Sequence, residues 1–196
     1  NPDRLRSQHV RRRIAASGSV QAGDPNPARA AFLHQPPVVT TADSSSPLAL
    51  RKSTRLAVHS TDDSKGECQL ALNGNLLADR FDNTILDAQY EVADGCLLAV
   101  LGSDSPWDVT ASLYLLDSTG RIIDAIHGGG MFVAGGFAEV GLDAAGLTFV
   151  FPGVENRYRL SVSQRAAWRS PLPSGWRYQR WWATHRLHLL QLNRPT

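Results

Sequence analysis

An antiparallel all-β domain, a sandwich or a barrel, preceded by a proline-rich basic arm, is the architecture the sequence predicts. Strand-length apolar runs recur along the chain from residue 54 onward. Turn residues such as Asn73-Gly74, Asp94-Gly95, Ser118-Thr119-Gly120 and Pro152-Gly153 separate them. Few segments repeat their apolar residues with the 3.6 period of a helix, and runs with such punctuation read as strands.

Residues 1–53 read as the arm. Pro2, Pro25, Pro27, Pro36, Pro37 and Pro47 forbid a continuous ladder or a long helix. Only Pro2 to Ala16 has room for a short helix, and its apolar residues Leu5, Val10 and Ile14 make a thin stripe. The chain opens at Asn1 without a Met or a signal-peptide h-region, as expected of a processed precursor.

Residues 54–196 read as the β domain, its strands falling at Arg55 to His59, Cys68 to Leu72, Thr84 to Val92, Cys96 to Leu101, Val109 to Leu116, Arg121 to His127, Leu147 to Phe151 and Tyr158 to Val162. The clearest unit is Leu113 to Leu116, the turn Asp117 to Gly120, then Arg121 to Ile126. A loop of that length ending in glycine predicts a bulged hairpin, because glycine supplies the left-handed conformation the bulge needs. Gln164 to Arg169 is the best candidate for a turn of helix. Arg186-Leu187-His188-Leu189 alternates with period two and predicts a Trp- and Arg-rich C-terminal strand. The longest apolar run, Cys96 to Leu101, is far below the ~20 residues of a membrane-spanning helix.

Charge is divided along the chain. Residues 61–163 carry 15 acidic against 5 basic side chains, net −10, whereas residues 1–60 and 164–196 each carry +6. The basic ends therefore either fold back on the acidic middle or meet a partner. Arg11, Arg12 and Arg13 in the arm could neutralise phosphates, but the field of the adjoining acidic domain repels a polyanion. A protein partner is expected, and nucleic acid is not.

Cys68 and Cys96 are the whole thiol inventory, and the even count is compatible with one disulfide. Such a bridge would close a loop of ~28 residues, worth roughly 3 kcal/mol in the chain-entropy account, and would imply an oxidising compartment, periplasmic or secreted. Two reduced core thiols are the alternative, with the cytoplasm then open. The ratio of 18 Arg to 2 Lys accords with a bacterial source of high GC content.

No complete catalytic, metal or cofactor set is legible, and no cofactor or metal is expected. His185 and His188 lie three apart, on opposite sides of a strand, and so are poor co-ligands. Asp79, Asp82 and Asp87, or Asp104 and Asp108, offer hard oxygen ligands of the kind calcium takes, but aspartate is also what turns prefer. The segment His127-Gly128-Gly129-Gly130-Met131-Phe132-Val133-Ala134-Gly135 resembles the HGGG oxyanion-hole segment of α/β-hydrolase lipases and esterases. That resemblance implies a small hydrolase with Gly128 to Gly130 as oxyanion donors and His127 as base. The Gly-x-Ser-x-Gly elbow and βαβ pattern of that family are absent, and a flexible glycine loop joining two strands is the other reading.

Trp168, Trp176, Trp181 and Trp182 lie in the tail with Tyr178, interleaved with Arg169, Arg177, Arg180 and Arg186. Indole and guanidinium groups dominate binding hot spots. The tail either closes the domain or docks a partner through Trp176, Tyr178, Arg180, Trp181 and Trp182, with Arg11, Arg12 and Arg13 as a second surface. The expected function is a non-enzymatic protein-binding module: an inhibitor, an immunity-type protein or an envelope-assembly component. Carbohydrate or surface-polymer binding through exposed Trp is a further alternative.

Overall fold

The hydrophobic run Leu97 to Gly102 is buried at every residue, which requires apolar layers on both sides of one strand. The structure, a computed structural model, describes residues 46–103, 108–131, 135–152, 156–168 and 170–192. Among these residues the backbone forms strands β1 (Leu50–Lys52), β2 (Leu56–Asp62), β3 (Glu67–Leu72), β4 (Asn75–Leu76), β5 (Phe81–Asp82), β6 (Ile85–Val92), β7 (Leu97–Gly102), β8 (Asp108–Leu116), β9 (Ile122–Met131), β10 (Ala138–Asp143), β11 (Gly146–Val150), β12 (Arg157–Trp168), β13 (Trp176–Tyr178) and β14 (Thr184–Leu192), and no helix. All pairings are antiparallel. Each of the eight apolar runs named above lies on a strand, as does the C-terminal alternation.

A six-stranded sheet, β1-β6-β7-β8-β9-β13, forms the middle layer. Side chains alternate across its central strands: Leu98, Val100, Leu113 and Leu115 enter one core with Leu147, Phe149, Tyr158, Leu160 and Leu187 of the sheet β10-β11-β12-β14. Leu97, Ala99, Leu101, Tyr114 and Leu116 enter the other, with Leu56, Cys68, Leu70 and Phe81 of the sheet β2-β3-β4 and its partner β5. The sandwich is thus double, and the middle sheet is solvent-free at its centre.

The β8–β9 hairpin has the predicted form. Gly120 closes its turn through an N–H to the Asp117 carbonyl at φ +86°, and the register slips between Leu115 and Leu116. Residues 46–53, at the end of the segment read as an arm, join the sheets: Leu48 N donates to Val162 O at 2.7 Å, and β1 pairs with β6.

Three local expectations are corrected. Gln164 to Trp168 is not helical; β12 runs on through it, with a bulge between Val162 and Ala167 that adds residues opposite Arg186. The glycine run is not a loop. Gly128, Gly129 and Gly130 pair with Ala111, Thr110 and Val109 inside β9, and a Cβ at Gly128 would overlap the Trp176 indole. Glycine here makes room for an aromatic ring against the strand. Lastly, Cys68 and Cys96 are both free. They lie in different cores on opposite sides of the middle sheet, so no S–S bond can join them, and the pair gives no argument for an oxidising compartment.

The described ends of both basic flanks pair with the acidic middle. Arg51 and Arg55 pair with Glu91, Lys52 pairs with Glu139 at 3.1 Å, and Arg186 pairs with Asp94. Among the described residues, Arg165, Arg177 and Arg180 make no such ion pair.

Candidate functional site

Two regions carry the chemistry, and the C-terminal tail separates them. Trp176 and Tyr178, on β13, are core residues. Trp176 packs edge-on to Phe149, Phe151 and Tyr158, with centroids 5.3–6.1 Å apart, and Tyr178 stacks on His185 at 3.6 Å. Burying a side chain of this size stabilises the fold by about 1.5–3 kcal/mol. They are the tail's anchors rather than contact residues.

The chain then turns outward. Gln179 N donates to Ala125 O at 3.0 Å, and Ala183 N donates to Arg180 O at 3.1 Å, which closes a β-turn with Trp181 and Trp182 at its two central positions. Those positions favour Gly, Pro, Asn and Asp for backbone reasons. Tryptophan is not among those residues, and Trp181 and Trp182 are 65% and 64% exposed. Their rings meet edge-to-face at 5.8 Å and 88°. Trp168, 78% exposed, pairs with Thr184, two residues beyond Trp182, so all three indoles share one corner of the domain. Arg180 in the turn and Arg165 in the β12 bulge are also exposed.

A buried ionic clasp holds the base of this corner. Asp124 Oδ1 accepts from His185 Nδ1 at 2.7 Å and from Ala125 N at 2.9 Å, and Oδ2 accepts from Arg186 N at 2.7 Å and Leu187 N at 2.9 Å. This carboxylate ties β9 of the middle sheet to β14 of an outer one. The bulge is fixed in turn by Ser163, whose hydroxyl donates to Arg165 O at 2.7 Å while its carbonyl accepts from Arg186 Nε at 2.8 Å.

The second region is an open groove of about 1160 Å³ that includes His127. On its floor Asn83, in left-handed backbone at φ 78°, accepts from Thr110 Oγ1 at 2.6 Å. Its amide nitrogen donates to Leu101 O at 3.2 Å and to Ser112 Oγ at 3.0 Å. Ser112 Oγ also lies 2.9 Å from His127 Nδ1, within hydrogen-bond distance. Burial holds the His127 pKa below the ordinary histidine value; Asp82 opposes the shift and Arg177 adds to it.

The Ser112–His127 contact sets a hydroxyl against an imidazole, as an activated serine has it, but Ser112 is 2% exposed. The nearest carboxylate, Asp82 Oδ2, lies 3.6 Å from the same Nδ1 rather than on the far side of the ring. An acid–base relay needs the carboxylate and the nucleophile on opposite nitrogens. Gly128 to Gly130 meanwhile lie in the β8–β9 ladder rather than in an open loop of donors.

Of the residues singled out by sequence, Arg180, Trp181 and Trp182 come together at the exposed corner, and Trp176 and Tyr178 brace it from within. Arg11, Arg12 and Arg13 lie outside the described residues. Sequence reasoning counted Trp168 in the Trp- and Arg-rich tail but not among its contact residues. It also passed over Asp124, although a lone carboxylate inside Ile122-Ile123-Asp124-Ala125-Ile126 signals a buried partner. Ser112, Asn83 and Thr110 carried no signal beyond ordinary strand and turn positions. Among the described residues no three His, Cys, Asp or Glu side chains gather as a metal set. No helix among them is long and apolar enough to cross a membrane. Compared with known protein families, curated proteins and solved structures, the chain matches none.

Proposed function

We propose that this chain is a protein-binding module whose contact surface is the corner formed by Trp168, Trp181 and Trp182, with Arg165 and Arg180 at its side. The carrying observation is the placement of Trp181 and Trp182 at the two central positions of a closed β-turn, where both are exposed. Tryptophan and arginine are the residues most enriched among binding hot spots, and they act best when held rigidly before contact. The Asp124 clasp and the Ser163 bonds supply that rigidity. Arg165 and Arg180, exposed and in no ion pair among the described residues, favour a partner that presents carboxylates around an apolar pocket. The perpendicular indoles form a wedge rather than a flat platform, which favours insertion into a protein surface over stacking on sugar rings.

The test compares immobilised wild-type chain with Trp168→Ala/Trp181→Ala/Trp182→Ala in an extract of the cells that make it. A partner retained by the wild type, lost by the variant and released by rising salt supports this reading. Retention of the same proteins by both, at equal melting temperature, removes it.

A further inference from the structure

The groove on the other side of the tail has a composition of its own. Its lining carries charge of both signs, Asp63, Asp82 and Asp108 beside Lys65 and Arg177, so an ion of either sign meets like charge along the groove. Among the described residues its large apolar lining comes from Ile85 and Trp176, with Ala111 between polar neighbours. Short polar side chains, among them Thr61 and Thr84, and the His127 imidazole make up much of the rest. The floor is already fixed: Asn83, Thr110, Ser112 and His127 satisfy one another, so a ligand has no side chains to reorganise there. At about 1160 Å³ the space exceeds what a single small molecule fills.

We propose that this groove is a second binding site, built for a neutral, polyhydroxylated ligand of the oligosaccharide class. Hydroxyl groups both donate and accept on a single atom, so a polyhydroxylated ligand can use the carboxylates, the cations and the hydroxyls that line it. Asp82, whose side chain is 62% exposed, accepts from a ligand hydroxyl, and Arg177 donates to a ring or hydroxyl oxygen. The site stands apart from the tryptophan corner, and the failure of either reading leaves the other intact.

The full chain is probed on an array bearing neutral gluco-, manno-, galacto- and chito-oligosaccharides beside uronate and sulfated ones. Binding confined to neutral glycans is expected, weakened roughly tenfold by Asp82→Asn and by Arg177→Gln and unchanged by Trp181→Ala/Trp182→Ala. Addition of the best neutral oligosaccharide then shifts the His127 imidazole resonances. Asp82→Asn removes no buried contact, so loss of binding there is not a loss of fold. Binding to no glycan, preference for the anionic set, or loss of binding on removing Trp181 and Trp182 but not Asp82 would each overturn the proposal.

Discussion

Asp124 and His185, 61 residues apart in sequence, meet at 2.7 Å in the interior, and the same carboxylate takes three backbone amides besides. Each of these donors would be left unpaired in a buried site if the carboxylate were removed. Breaking a buried pair by deleting one partner costs roughly 3–5 kcal/mol. Asp124→Ala is therefore expected to lower the urea midpoint sharply with an unchanged slope, and Asp124→Asn, which keeps an acceptor, to cost less. A midpoint within experimental error of the wild type for Asp124→Ala would show that the clasp does not hold the two sheets.

The Gly128–Trp176 contact makes a second prediction. Gly128→Ala forces the indole off the strand, and overpacking of this kind costs about 1–3 kcal/mol. In a Trp176→Ala background the ring is gone, so the same alanine is expected to cost much less. Equal costs in both backgrounds, measured by chemical denaturation, would mean that Gly128 is needed for some reason other than this ring.

The thiols are expected to be inert in the folded chain. Burial pushes the Cys68 thiol up to about 11 and raises that of Cys96 as well, so little thiolate exists at neutral pH. A thiol-reactive dye should read almost nothing on the native protein and both cysteines after unfolding without reductant. An unfolded, unreduced chain that still reads none would establish the disulfide that the separate cores forbid.

Stability should also fall in mild acid. His127 and His188 are both held below the ordinary histidine pKa, first of all by burial. The folded imidazoles bind protons less tightly than the unfolded ones, so their contribution is complete above about pH 6.5 and is lost as pH falls through the lower folded values. His127→Gln, which keeps a polar group beside Ser112 but cannot take up a proton, should make that decline shallower. Glu139, held low by the Tyr90 hydroxyl and Lys52, and Asp117, held low by Thr119, lose their contribution in a separate window, below about pH 4. A midpoint equally steep in pH with and without His127 would contradict this assignment.

Much of the strand framework was legible in the sequence, because an apolar run with turn residues at its ends needs no distant partner to be read. Cys96 to Leu101 even carried the mark of the middle layer, being apolar without alternation. The remainder depends on long-range packing. Glycine propensity makes His127-Gly128-Gly129-Gly130 look like a loop until Trp176, some fifty residues on, is known to lie against it. Trp176 and Trp182 are alike by composition, and only the turn closed from Arg180 to Ala183 sends one inward and the other outward. Asp82, Asn83 and Ser112 meet only when β5, β6 and β8 are assembled, so the groove had no linear signature.

That division between inward and outward tryptophans gives the central claim its sharpest form. Trp176→Ala should cost about 3–5 kcal/mol of stability, as deletion of a buried aromatic does, whereas Trp182→Ala should lie within about 0.5 kcal/mol of the wild type. The decisive measurement is the calorimetric affinity of Trp182→Ala for the protein partner retained by the wild-type chain. A loss of roughly thirtyfold or more, the mark of a hot-spot residue, at unchanged melting temperature is the predicted result. An affinity within about twofold of the wild type would place the contact elsewhere and contradict the account.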